Sequence, residues 1–155
     1  MKAHLFKYNP ANWSWERYED LFTRWRRGER VVENWSVHNF YKQIVVGSQA
    51  WPIGQGSAPN VICGFGTIVS KPKRGPRYDG VEEWMVDVHW RWLCDPRTDH
   101  LLDENGTRAI LGPFAVDFPA SGKPIHESAE ILTKWLQRRQ ATKASPRPDV
   151  RKRTG

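Results

Sequence analysis

Between residues 84 and 93 the chain alternates with a period of two. Trp84, Val86, Val88, Trp90 and Trp92 fall on one face, and Met85, Asp87, His89, Arg91 and Leu93 on the other. That period belongs to an extended strand, whose successive side chains point to opposite sides. A strand that puts three indoles on one face needs a sheet around it and a core large enough to cover them. A chain of 155 residues supplies one such core.

Other segments fit a sheet with helices laid against it. Residues 4–8 read as a first strand, ended by Asn9-Pro10 because proline lacks a donor and restricts the residue before it. Asn12 or Ser14 caps a helix over residues 15–27, with Trp15, Tyr18, Leu21, Phe22 and Trp25 on its inner face and Gly28 as its stop. Residues 48–53 and 61–70 read as strands. In the second, Gly64 and Gly66 flank Phe65 and predict a bulge or a close backbone approach. A last helix spans residues 127–139, with Ile131, Leu132, Trp135 and Leu136 facing inward. Residues 29–41 have mixed polarity and are expected to be irregular and exposed. Residues 54–60, 71–80, 112–124 and the stretch after Leu93 through Asp103-Glu104-Asn105-Gly106 have loop composition. The expected fold class is α+β: a mixed or antiparallel sheet closed into a barrel, helices packed outside. It forms one domain over residues 1–140, and the Pro- and charge-rich residues 141–155 are expected to be a disordered basic tail.

Charge and aromatic content narrow the function. The net charge is +7, yet seven of the 24 Lys/Arg and one of the 17 Asp/Glu fall in residues 138–155. The body is thus nearly neutral, and Arg138, Arg139, Lys143, Arg147, Arg151, Lys152 and Arg153 form a candidate phosphate-binding arm. No apolar run approaches the roughly 18 residues of a membrane span, and the first residues lack the apolar core of a signal peptide, so a cytoplasmic protein is expected. Cys63 and Cys94 have no spacing for a metal site and are expected as buried thiols in strands. Neither a phosphate-binding glycine loop nor a nucleophile elbow is present. Asp87 and His89 share a strand face without an evident third partner, Glu82 and Glu83 read as a solvated edge, and His38-Asn39 alone is no nuclease signature. The sequence favours no enzyme and calls for no cofactor or metal. Among nine tryptophans and other aromatics, Tyr8, Trp13, Trp35, Trp51, Phe65 and Phe118 stand at strand ends or in loops. Aromatic faces grip a base taken out of its stack, and short polar groups such as Ser36, Asn39, Ser121 and the backbone near Gly122 read its edge.

A family resemblance rests on an ordered series of short motifs. Leu5-Phe6-Lys7-Tyr8-Asn9-Pro10 followed by Trp13-Ser14-Trp15-Glu16, then Trp35-Ser36, then Val46-Gly47-Ser48, resemble the opening of EVE-like domains of the PUA-like superfamily. The stretch from Gly64-Phe65-Gly66 to Ser70-Lys71-Pro72, then Val86-Asp87-Val88, then Phe118-Pro119-Ala120-Ser121-Gly122 with Ile125, continue that order. The match covers about residues 4–137. Ser48 departs from the usual Asp, and Ala120 stands near where a Gln often precedes Ser-Gly.

The resemblance implies a PUA-like barrel that reads a modified DNA base, 5-methylcytosine or 5-hydroxymethylcytosine, by flipping it into an aromatic pocket. Trp35 and Ser36 would line that pocket, Trp13 would wall it, and Ser121 and Gly122 would close it. Such domains are often fused to HNH or McrBC-type nucleases. None is attached here, so a separate nuclease partner is expected. The alternatives are an RNA-binding PUA-like module, a nucleobase or nucleotide enzyme of the ASCH type using Asp87 or His89, and a module that binds another protein.

Overall fold

The computed structural model describes residues 1–144. Strand β1 (Ala3–Tyr8) is buried along its whole length, with Leu5 in one core cluster and Phe6 in the other. It runs parallel to β3 (Gln49–Gly54) and antiparallel to the two-residue β7 (Lys123–Pro124). Strand β4 (Gly64–Ile68) bridges β3 to β6 (Glu82–Leu93), and β2 (Val31–Ser36) lies on the far side of β6. The order is β2-β6-β4-β3-β1-β7, with β5 (Lys73–Pro76) paired to β6 off that path. The class is α+β and the sheet is mixed and curled, as expected.

The two ends of the sheet meet without a ladder. Ser121, just before β7, accepts hydrogen bonds from Nε1 of Trp35 on β2 (3.2 Å) and from the backbone of Lys7 on β1 (2.7 Å). Gly122 follows in the left-handed region (φ 98°), where a Cβ would lie 3.0 Å from that of Val37 and 3.1 Å from that of Phe40. Glycine is thus what lets this loop close on the turn beyond β2. Nδ1 of His4 lies 2.8 Å from the Gly122 carbonyl. A carbonyl only accepts, so Nδ1 carries the proton. The ring is buried, and its Nε2 has no partner among the described residues.

Helix α1 (Trp15–Arg26) starts at Ser14, whose side chain accepts from the Arg17 N–H, and Gly28 follows its end at φ 83°. Tyr18 and Leu21 are its buried residues; Trp15, Phe22 and Trp25 are half-buried. Helix α4 (Ala129–Ala144) follows a 3-10 turn at His126–Ser128 and runs past residue 140, where the sequence pattern stops. Among the described residues, no helix is long and apolar enough to cross a membrane.

Several expectations are corrected. Residues 29–41 are not irregular: they hold β2 and a 3-10 turn, His38–Gln43. Strand β2 has one ladder partner and a wet outer face, so its polarity is mixed. Residues 71–80 contain β5, whose lysine, glycine and proline suit an exposed edge as well as a loop. The Asp103-Glu104-Asn105-Gly106 turn is a helix start. Asp103 accepts from the Gly106 N–H at 2.6 Å and caps α2 (Glu104–Leu111). Gly112 and Pro113 then open the short α3 (Pro113–Asp117) inside the expected loop 112–124. Cys63 and Cys94 are buried as expected, but they flank strands rather than lie in them.

The alternation along β6 holds only through Trp90. Phe65 of β4 faces Trp92 while Gly66 faces Trp90, so Arg91 is an extra residue on β6. The phase flips there: Leu93 rejoins the cluster of Val86, Val88 and Trp90, and Trp92 packs in the other. Both flanking glycines are forced by close approach. A Cβ on Gly64 would lie 2.8 Å from the Trp92 carbonyl oxygen, and one on Gly66 2.7 Å from that of His89.

Gly66→Ala is therefore expected to cost about 1–3 kcal/mol. Gly75→Ala, whose Cβ would meet only Met85 at an ordinary 3.7 Å, is expected to change stability by less than about 0.5 kcal/mol. Urea unfolding of the two variants checks the contrast. A second expectation concerns His4, whose ring burial holds below its ordinary 6.5. Unfolding frees the ring to take a proton that the folded site resists. Stability should thus fall as pH drops through 6.5, by up to about 1.4 kcal/mol per pH unit. His4→Asn keeps a donor for Gly122 and does not titrate. Its unfolding midpoint, followed between about pH 5 and 8, should lack that part of the wild-type slope.

Candidate nucleic-acid interface

A cavity of about 510 Å³ opens at the end of the sheet where Ser121 joins β1 to β2. Two indoles form its aromatic corner. Asn9 builds the turn after β1: its backbone carbonyl accepts from Asn12 and Trp13, and its side chain from Ala11 at 3.0 Å. This delivers Trp13 onto Tyr8 (ring centroids 5.7 Å) and Tyr18 (6.2 Å), both edge-on. Trp35 stands edge-on to Phe6 (6.0 Å) and Trp90 (5.6 Å). The two indoles lie 5.5 Å apart at 48°, and the Arg17 guanidinium sits 4.8 Å from the Trp13 ring. With Trp35 Nε1 tied to Ser121, the plane of that indole is fixed.

Polar groups surround the corner. The Ser121 oxygen accepts two N–H groups, so its own proton is what remains to be donated. Lys7 lines the cavity and is nearly buried, its Nζ donating to the carbonyls of Ala115 (2.6 Å) and Val116 (2.7 Å) in α3. Burial pulls its ammonium down to about 8 against the attraction of Asp117. His38 also lines the cavity and is the one described non-glycine residue with positive φ (45°). Its Nδ1 lies 2.7 Å from a carboxylate oxygen of Glu83. Burial pushes the Glu83 carboxyl up. The His38 bond, the Trp84 N–H and Arg74 outweigh that and hold it below its ordinary value, so Glu83 is the anionic acceptor.

Four residues singled out from sequence come together here: Trp13, Trp35, Ser36 and Ser121 all line the cavity. Tyr8 and Trp51 have no exposed surface. Tyr8 stacks on Tyr18 at 4.6 Å, and Phe65 packs on Trp51 at 4.7 Å, so these three stand within or against the core. Gly122 lies behind Ser121, and Asn39 is exposed one residue beyond His38; neither lines the cavity. Phe118 packs on Phe40 and Phe114. Asp87 takes a hydrogen bond from Asn34, and burial lowers the His89 ring; both lie outside the cavity. Among the described residues no group of three or more His, Cys, Asp or Glu is placed to hold a metal.

The expected basic arm is described in part. Arg138 lies over Trp135. Arg139 pairs with Asp99, donates to the His100 carbonyl and lies over Trp92, none of which lines the cavity. Nothing of the Lys143 side chain is described, and Arg147, Arg151, Lys152 and Arg153 lie outside the described residues.

Sequence reasoning missed Lys7, Asn9, Asn12, Arg17, Asn34, His38, Gln55 and the hairpin residues 76–78, which also line the cavity. Lys7 carried a signal, a charge inside an otherwise apolar strand. Arg17 lies on the outer face of α1, and the rest belong to turns and to the edge strands β2 and β5, which have no periodic pattern.

No protein-family model matches the chain, and no curated relative matches it in sequence. Solved structures do. Protein Atu2648 of Agrobacterium tumefaciens is 14% identical with a TM-score of 0.57, over 87% of this chain and 93% of that one. A hypothetical protein of Leishmania major is also 14% identical with a TM-score of 0.57, over 90% of this chain and 97% of the other. Human THYN1, in a complex with DNA containing 5-methylcytosine, is 17% identical over 87% of this chain and 98% of its own, with a TM-score of 0.49. That last likeness is too weak to say anything of this chain's ligand, whereas the first two show that the fold is shared.

Proposed function

We propose that this chain is a PUA-like module that binds nucleic acid without catalysis and reads a modified DNA base, 5-methylcytosine or 5-hydroxymethylcytosine, flipped into the Trp13–Trp35 corner. The observation that carries this is the corner itself: two indoles 5.5 Å apart beside a serine whose hydroxyl proton faces no acceptor among the described residues. Stacking on an aromatic face is worth about 1–3 kcal/mol per base, enough to offset the few kcal/mol that extrusion costs. Ser121, Ser36 and one remaining N–H of Lys7 supply polar groups for a base edge. Met85 and Ala120 supply apolar surface for a substituent at the 5-position. Because the indole planes are held by hydrogen bonding and packing before any ligand arrives, little ordering cost is left to binding.

A second reading uses the same cavity. The His38–Glu83 pair, with His38 on a strained backbone, is an imidazole oriented by a carboxylate, an arrangement that serves general acid–base catalysis. It predicts product from modified nucleosides that His38→Gln abolishes.

Fluorescence anisotropy with matched duplexes carrying cytosine, 5-methylcytosine or 5-hydroxymethylcytosine, and with an RNA strand, tests the first reading. Tighter binding to a modified duplex is expected. Trp35→Ala and Trp13→Ala should each weaken it by about 5- to 150-fold, one stacked base. Equal binding to modified and plain duplexes sinks the reading, and a preference for the RNA strand reassigns the pocket to an unpaired RNA base. The basic C-terminal residues have a separate signature. Deleting residues 145–155, which removes Arg147, Arg151, Lys152 and Arg153, should weaken all duplexes alike and flatten the dependence on salt. An unchanged salt slope excludes phosphate contacts by this segment.

A further inference from the structure

The β5–β6 hairpin leaves the sheet as an arm. Among the described residues strand β5 pairs only with β6, and the arm's turn stands at the cavity, where Pro76, Arg77 and Tyr78 join the lining. Three constraints hold that turn. The Arg77 N–H donates to the Val81 carbonyl (2.9 Å), and the Gly80 N–H to the Arg77 carbonyl (3.0 Å). Asp79 takes both the Arg77 guanidinium (2.7 and 2.8 Å) and the Val81 N–H (3.1 Å). Gly80 supplies the left-handed residue at φ 82°. On this stiff turn Tyr78 is 53% exposed and Val81 51%. The only ring contact of Tyr78 among the described residues is the Arg77 guanidinium, 5.6 Å away. Behind it, residues 71–77 carry Lys71, Lys73, Arg74 and Arg77 and no acid. Arg74 is drawn back over Trp84 and onto the Glu82 carbonyl, while Lys71 and Lys73 are exposed.

We infer that this arm is the part of the chain that enters duplex DNA: Tyr78 fills the gap that the extruded base leaves in the stack, and Lys71 and Lys73 follow the phosphates beside it. The inference rests on the base-reading proposal and adds the surface that meets the duplex. A flipped base leaves its neighbours unstacked, and proteins that distort a duplex place a side chain between base steps. Such a side chain must be exposed before binding, held on a turn that does not have to be ordered, and close to the cavity that takes the base. Tyr78 meets all three conditions. Its ring gives the neighbouring bases a face to stack on, and exposed cations on the same arm match the charge of the backbone.

The test uses the full chain and two probes with the same 5-methylcytosine sequence, a duplex and a single strand. Each carries 2-aminopurine beside the modified base to report unstacking. A single strand has no gap to fill. Tyr78→Ala is therefore expected to weaken duplex binding by about 5- to 150-fold, one stacking contact. It should remove the rise in 2-aminopurine fluorescence and leave single-strand affinity within about twofold. Tyr78→Phe, which keeps the ring, should behave as wild type. Lys71→Ala and Lys73→Ala should each lower the salt slope for the duplex by about 0.9. Because Tyr78 is exposed, an unchanged unfolding midpoint confirms that each variant is folded. Equal weakening of duplex and single strand would make Tyr78 a wall of the pocket only, and no weakening of either would leave it idle. Both overturn the inference while the base reader stands. If the wild type prefers the modified base in neither probe, the reader itself has failed and the inference falls with it.

Discussion

One oxygen atom joins the two ends of the sheet. Oγ of Ser121 takes the Lys7 N–H from β1 and the Trp35 indole N–H from β2, strands that share no ladder. A buried donor left without a partner costs about 1–3 kcal/mol, so each N–H gives the serine a reason to stay where it is. The Gly122 carbonyl at His4 and the glycine's contact with Val37 and Phe40 hold the same loop from the other side. The closure that curls the sheet therefore also fixes the plane of an indole in the cavity. Fold and site share one hydrogen-bonded junction, and a change that loosens it loosens both.

The placement of α1 depends on a second irregularity, the extra residue in β6. Arg91 is unpaired with β4, and its carbonyl accepts the indole N–H of Trp25 at 3.0 Å. At the other end of the helix, the Tyr18 hydroxyl donates to the Cys94 carbonyl at 2.7 Å, just past the end of β6. The helix is thus pinned to β6 at two points, and its first turns carry Tyr18 and Arg17, which Trp13 packs against. A bulge on one strand sets where a helix rests, and the helix sets where one wall of the cavity stands. Bulges recur beside functional sites for this reason: they re-aim what packs on them.

How much of this is legible in the sequence follows from which forces leave a periodic trace. Helix α1 and the first half of β6 show it, because each buries one face; β1, buried on both, is legible from its apolar residues and the Asn9-Pro10 stop, and the close approaches at Gly64 and Gly66 from the glycines themselves. Edge strands show no such trace. Strand β2 is half wet and β5 reads as a basic loop, yet together they carry Asn34, Trp35, Ser36 and the arm that bears Tyr78. Asp103 shows a different ambiguity, since an acid before Asn-Gly serves a turn and a helix cap equally well until the next residues choose. Trp13, Trp35 and Ser121 were visible as aromatics and a Ser-Gly pair outside periodic segments. Tyr8, Trp51 and Phe65 looked the same in sequence. Their enclosure follows from packing that comes from distant segments, such as α1 over Tyr8.

The net charge of +7 says little about where an anion would land. Several arginines are spent locally: Arg24 on Asp20 and Glu33, Arg97 on Glu19 and Asp95, Arg108 on Asp117, and, from the expected basic arm, Arg139 on Asp99. Surface pairs of this kind add little stability, but each cancels a positive charge within a Debye length of itself. Arg77 is likewise neutralised by Asp79, which makes its turn rigid rather than basic. The cations that line the cavity besides Arg77 are Lys7, held on the Ala115 and Val116 carbonyls, and Arg17 over Trp13, while Lys71 and Lys73 are exposed farther along the arm. In the base-reading proposal, such cations around a cavity with aromatic walls are what would steer a polyanion toward it. That proposal therefore turns less on net charge than on a few uncancelled charges beside an aromatic corner, where Ser121 fixes the plane of Trp35.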